Sequence, residues 1–157
     1  MTNRKQIATM IAFACLICSA SALSLSDFLG TWSGQRTETV NGSGTITAVK
    51  ITAKKSGSAL SVTETGSSER IGGSYVFKHT FKSNGRYQSV VTSYGYILST
   101  NKGTWRKSGG AIIISGSQSS AGGDDDFSGS LKLLTPSRIS YTGKSGGATV
   151  KIKAKKS

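Results

Sequence analysis

The chain has 157 residues, with 20 Lys and Arg against 7 Asp and Glu and a net charge of +13. Its two cysteines, one histidine and seven acids leave little from which to build a Cys/His metal centre or a carboxylate-rich active site. With 20 glycines and one proline, the composition speaks against a helical protein and for short strands joined by tight turns.

Met1-Thr2-Asn3-Arg4-Lys5 carries two positive charges and no acid, an apolar run follows from Ile7 to Cys18, and Ser19-Ala20-Ser21-Ala22 supplies small residues. This order predicts a signal-peptide helix over residues 1–22, cleaved after Ala22, whose apolar part is too short to span a bilayer stably. A lipoprotein signal would need a Leu-small-small-Cys pattern, which neither Cys15 nor Cys18 offers. Both cysteines leave with the signal, so the remaining domain, 23–157, has no disulfide, thiolate nucleophile or cysteine metal site. Loss of Arg4 and Lys5 leaves 18 basic against 7 acidic residues, or +11. The expected destination is periplasmic or extracellular, and no later segment is apolar and long enough to cross a membrane as a helix.

Ser24 to Leu29 reads as a single helical turn that Ser26 or Asp27 caps. Strands are predicted at Thr31 to Val40, Thr45 to Ala53 and Ala59 to Thr65, with Asn41-Gly42-Ser43-Gly44 and Lys55-Ser56-Gly57-Ser58 as turns. Ser74 to Lys82 alternates cleanly, with Tyr75, Phe77, His79 and Phe81 on one face and Val76, Lys78, Thr80 and Lys82 on the other. Arg86 to Thr92 follows the Ser83-Asn84-Gly85 turn. Tyr94 to Ser99 and Gly103 to Lys107 read as two strands flanking Asn101-Lys102. Ala111 to Ser117, Phe127 to Leu134, Arg138 to Lys144 and Ala148 to Ala154 complete the series, the last with Ala148, Val150, Ile152 and Ala154 inward. The fold class is therefore all-β: an antiparallel up-and-down meander of about 8–10 strands, closed into a barrel to remove its edges. A two-sheet sandwich is the alternative that the same pattern allows.

Phe28-Leu29-Gly30-Thr31-Trp32-Ser33-Gly34 resembles the Gly-x-Trp motif that opens lipocalin-like (calycin) barrels, and the layout is similar to small bacterial exported members. The resemblance spans 23–157 in architecture but only about seven residues as motif. A second Gly103-Thr104-Trp105 follows the Tyr94-Gly95-Tyr96 segment. The resemblance implies a short turn that closes the barrel bottom, a tryptophan that plugs it, and a basic residue near the last strand that packs on that tryptophan. Lys151, Lys153 and Arg138 are the candidates for this last role, although alternation points the two lysines outward.

Catalytic signals are sparse. No Gly-x-Ser-x-Gly elbow on a strand-to-helix turn is present. His79 reads as a satisfied core imidazole, or as a polar anchor in a ligand cavity; its surroundings do not match a haem-binding histidine. Arg36 shares a face with Trp32 and Glu38, and Glu64 also points inward by parity, which suggests an Arg36–carboxylate pair near the rim. Asp124-Asp125-Asp126 reads as a solvated loop tip; convergence on Ca²⁺ would require a loop. On Tyr75 to Lys82 the aromatics and lysines face opposite sides, which argues against a nucleic-acid stacking platform.

These features predict a non-enzymatic exported barrel, without cofactor or metal, that binds a small, partly apolar ligand in its interior. The candidate cavity residues are Trp32, Tyr75, Phe77, His79, Phe81, Tyr87 and Tyr96. The alternative is an envelope or secreted interaction protein whose basic outer surface meets anionic polysaccharide, lipid headgroups or an acidic protein partner. An enzyme would need an inward cluster of titratable groups around His79, Glu38 or Glu64.

Overall fold

A computed structural model describes residues 23–157. The expected signal peptide, 1–22, lies outside the described residues. A 3-10 turn, Leu25–Phe28, precedes ten strands: β1 Gly30–Val40, β2 Ser43–Ser56, β3 Ala59–Ser68, β4 Gly73–Phe81, β5 Arg86–Ser93, β6 Tyr96–Ser108, β7 Ala111–Ser120, β8 Gly123–Thr135, β9 Arg138–Ser145 and β10 Ala148–Lys156. Each strand pairs antiparallel with its sequence neighbours, and β10 returns to β1 along Trp32–Lys156 to Val40–Ala148. Closure satisfies the backbone groups that an open sheet would expose and excludes the sandwich.

Three local expectations change. The cap of the 3-10 turn is Ser24 rather than Ser26 or Asp27; Asp27 instead reaches back and accepts from Ser24 N at 2.7 Å. The two strands expected around Asn101-Lys102 are one, β6, because Ser89 to Arg86 of β5 and Gln118 to Ser115 of β7 pair across that stretch. The chain reverses earlier, at Tyr94-Gly95, whose φ values of 48° and 84° make a left-handed turn that alternation cannot reveal. Asp124-Asp125-Asp126 is not a loop tip: it lies in β8, opposite Ser119, Gln118 and Ser117 of β7, so its carboxylates alternate across the sheet. No group of three or more His, Cys, Asp or Glu is placed to hold a metal ion among the described residues.

The two barrel ends differ. At one end Phe28 and Trp32 are buried, and the indole N–H donates to the Phe28 carbonyl at 2.9 Å, locking the 3-10 turn across the opening. Gly30 holds φ at 126° where the chain swings from this turn into β1, a conformation that other residues rarely adopt. Ile51, Leu60, Phe81, Ile112, Ile114, Ile139 and Ile152 pack around the plug as a dry core. Lys156, rather than Lys151, Lys153 or Arg138, stands over the indole, its Nζ 5.2 Å from the ring centroid. The inward parity of Ile152 and Ala154 continues to Lys156, which is the register partner of Trp32. The other end, framed by the β3–β4, β5–β6, β7–β8 and β9–β10 turns, stays open.

Candidate ligand chamber

Above the core the inner wall changes from apolar to polar. β1 supplies Arg36 and Glu38, β3 supplies Glu64, and β4 supplies Tyr75, Phe77 and His79, all on inward positions of neighbouring or near-neighbouring strands. Arg36 and Glu64 are only 8% and 5% exposed. Charges buried to this degree persist only if each finds partners, and here they do. Arg36 Nη1 donates to Glu64 Oε1 at 2.9 Å, and the Tyr75 hydroxyl donates to the same oxygen at 2.6 Å. Arg36 Nη2 lies 3.7 Å from Glu38 Oε2, which also accepts from Ser68 Oγ at 2.8 Å. Arg70, at the mouth, approaches the other Glu38 oxygen at 3.8 Å.

His79 joins the cluster from the other side. Its Nε2 is 3.9 Å from Glu64 Oε2, and its Nδ1 is 2.7 Å from the Tyr87 hydroxyl. Two hydrogen-bonded pairs, Tyr87–His79 and Tyr75–Glu64, thus face each other across the 3.9 Å contact between His79 and Glu64. Burial alone would raise the Glu64 carboxyl, but His79, the Arg36 guanidinium and the Tyr75 hydroxyl together hold it below the ordinary carboxylate range. Burial would likewise lower Arg36, yet Glu64, Tyr75 and Glu38 outweigh it and raise the guanidinium. Burial, reinforced by Glu64, raises Tyr75 and pushes Tyr141 up to about 12.

The barrel interior is not packed solid. A chamber of about 330 Å³ opens from this cluster to the mouth, with Phe77, Val91, Phe127, Tyr141 and Val150 among its apolar walls. A much smaller, apolar space of about 60 Å³ lies beneath it, against Trp32 and Phe81. Glu64, His79, Tyr87 and Tyr141 border both spaces and form the floor between them. Two buried polar atoms of the chamber wall, Arg36 Nε and Asn101 Oδ1, have no partner among the described residues. One donor and one acceptor are left unpaired beside a space large enough for a small ligand.

The structure brings Tyr75, Phe77, His79 and Tyr87 together in the chamber. Trp32 and Phe81 border only the lower space, because they belong to the plug. Tyr96 is a correction: it is 76% exposed and outside the chamber. A register shift after Val91 places it opposite Ser93 in the last pair of the β5–β6 ladder, where the barrel wall has ended. Phe127, Tyr141 and Asn101 join the expected set. Inward parity marks Phe127 and Tyr141, whereas Asn101 is hidden by its resemblance to a turn residue.

The sequence matches no protein-family model and no curated protein. Solved structures do match the barrel. Rv2717c from M. tuberculosis superposes with a TM-score of 0.61 at 14% identity, covering 85% of this chain and 94% of its own. The S-type phycobiliprotein lyase CPES from Guillardia theta gives 0.54 at 8% identity, covering 85% and 90%. At such identities the likeness shows the fold alone, an antiparallel β-barrel. The expectation of a non-enzymatic protein is overturned. A barrel of the same fold, 8% identical, is described as a lyase, so this architecture does not exclude catalysis.

Proposed function

We propose that this chain is an exported lipocalin-like barrel that takes a small, partly apolar ligand into the chamber above Glu64 and His79. The observation that carries this reading is the chamber itself, a space of about 330 Å³ with an aromatic wall and a polar floor of mutually paired groups. A ligand's apolar body fits against Phe77, Phe127 and Tyr141, while its polar end meets Arg36, His79 or Asn101. Since Arg36 is already paired with Glu64 and Glu38, the floor favours an uncharged ligand with both donor and acceptor groups over a free anion. The Tyr87–His79 and Tyr75–Glu64 pairs supply acid–base groups beside such a ligand. Export is supported by the charged, apolar and small-residue order of residues 1–22.

Native mass spectrometry of the protein purified from its own host tests both parts. The expected spectrum shows a chain beginning at Leu23 and a non-covalent adduct that is lost on collisional activation. A Ser99→Phe variant, which projects a ring into the chamber, should differ from the parent chain only by the mass of the substitution and lose the adduct. An uncleaved chain would overturn export, and an adduct that survives Ser99→Phe would overturn the chamber as its site.

A further inference from the structure

The charges of the barrel are sorted along its axis. Antiparallel alternation places the β2–β3, β4–β5, β6–β7 and β8–β9 turns and the end of β10 at the plugged end. Each of these carries exposed cations. Lys54 and Lys55 close β2, and Lys82 and Arg86 flank the β4–β5 turn. Arg106 and Lys107 close β6, Lys132 and Arg138 flank the β8–β9 turn, and Lys155 and Lys156 close β10. The only side-chain carboxylate of the described residues at that end is Asp27, which is engaged in capping the 3-10 turn. The acids gather elsewhere: Glu38, Glu69 and Asp124 to Asp126 lie toward the mouth, and Glu64 lies inside.

The cations of the plugged end are also free. Ion pairs among the described residues engage Arg36, Arg70 and His79, and none of the basic residues of this rim. Lys156 leans on Trp32, with its side chain still exposed. Like charges crowded without partners repel one another, so the arrangement destabilises the barrel unless an external anion offsets it.

We propose that the plugged end is a docking surface for an anionic lipid bilayer, which holds the barrel upright with its mouth facing away from the membrane. Geometry favours a bilayer over a linear polyanion. The cations form a ring around the circumference of one barrel end rather than a stripe or groove. A flat surface of mobile headgroups meets the whole ring at once, whereas a chain would follow only an arc of it. Leu134, 56% exposed beside the β8–β9 turn, adds one apolar contact at the same rim. The chamber remains open to solvent in this orientation, so ligand exchange continues while the protein is docked.

The test is co-sedimentation of the purified protein with vesicles of phosphatidylcholine containing about 30% phosphatidylglycerol, in low salt. Binding is expected there, should be absent on pure phosphatidylcholine, and should fall at least tenfold as salt rises to about 0.5 M. The variant Lys54→Gln/Lys55→Gln/Arg106→Gln/Lys107→Gln should lose about tenfold or more in partitioning. A second set, Lys82→Gln/Arg86→Gln/Lys132→Gln/Arg138→Gln, should do the same, which guards against a folding defect in either. The control Lys50→Gln/Lys78→Gln/Lys102→Gln/Lys151→Gln removes equal charge from the barrel sides and should bind within about threefold of the parent. Equal losses in rim and side variants would overturn the proposal by showing that net charge alone binds. So would failure to bind the anionic vesicles, or tighter binding of the parent to soluble polyphosphate than to the vesicles.

Discussion

Lys156 Nζ lies 5.2 Å from the centroid of the Trp32 indole, so the last inward position of β10 covers the plug that the second inward position of the chain's first strand provides. The indole is 1% exposed and hydrogen-bonded to Phe28, whereas the lysine is exposed. Their contributions should therefore differ widely. Trp32→Ala is expected to cost about 3–5 kcal/mol, through lost burial and the cavity left behind. Lys156→Met removes one exposed cation–π contact and should cost no more than about 1 kcal/mol. Urea unfolding of the two variants decides the matter: similar losses would mean that the lysine, not the indole, keeps this end shut.

The Arg36–Glu64 pair should behave as a unit. Glu64→Gln keeps an oxygen that accepts from Arg36 but removes the charge, leaving the buried guanidinium with the 3.7 Å contact to Glu38 as its remaining ion pair, and should destabilise by about 3 kcal/mol or more. The double variant Arg36→Met/Glu64→Leu removes both charges and should lose clearly less than the sum of Arg36→Met and Glu64→Leu made singly. Strict additivity in such a cycle would show that the two side chains are not coupled.

How far the sequence discloses this site follows from what alternation encodes. The period of two reveals which side a residue faces, so Tyr75, Phe77, His79, Glu64 and Arg36 are legible as inward, and the Gly30–Trp32 motif locates the plug. Alternation is silent about height along the barrel axis, which is set by register. Trp32 and Phe81 therefore look like cavity residues although they sit below the floor, and Tyr96 looks inward although its strand has already overrun the wall. Alternation also fails where a strand-forming residue takes part in the turn itself, as at Tyr94, whose φ of 48° no pattern announces. The charge sorting is invisible for the same reason: cations dispersed along the sequence converge only when antiparallel pairing brings alternate turns to one end.

Acid and alkali should weaken the protein through different groups. Glu64 is held below the ordinary carboxylate range, so its ionised form is favoured by folding. That contribution is complete above the unfolded carboxyl value and is lost as pH falls through the folded one. Tyr75, Tyr87 and Tyr141 are raised, chiefly by burial, so folding favours the neutral phenol. Their contribution is complete below the unfolded tyrosine value of about 10 and is lost as pH rises toward the folded values. Thermal midpoints recorded across both limbs should show a shallower acid limb in Glu64→Gln and a shallower alkaline limb in Tyr87→Phe. Each variant should leave the opposite limb unchanged in slope; an acid limb insensitive to Glu64→Gln would assign acid sensitivity to other carboxylates.

The shape of the chamber depends on glycines that let tyrosines lie flat against the wall. Tyr141 rests its ring over Gly143 on its own strand and over Gly129, the register partner of Gly143 on β8, so a Cβ at either position would collide with the phenol. Tyr75 lies in the same way over Gly66, its partner on β3. These close approaches hold aromatic rings at the edge of the space instead of across it. Gly143→Ala should push the Tyr141 ring off the wall and into the chamber, since the backbone of β9 is fixed on both sides by ladder hydrogen bonds. Overpacking of this kind typically costs about 1–3 kcal/mol, but the telling effect is on volume. Titration with the neutral fluorophore 1-aminoanthracene should show clearly weaker binding to Gly143→Ala than to the parent. The double variant Gly143→Ala/Tyr141→Leu, which removes the displaced ring, should regain binding. Failure of the second change to restore it would mean that the alanine acts by distorting the strand pair rather than by filling the chamber.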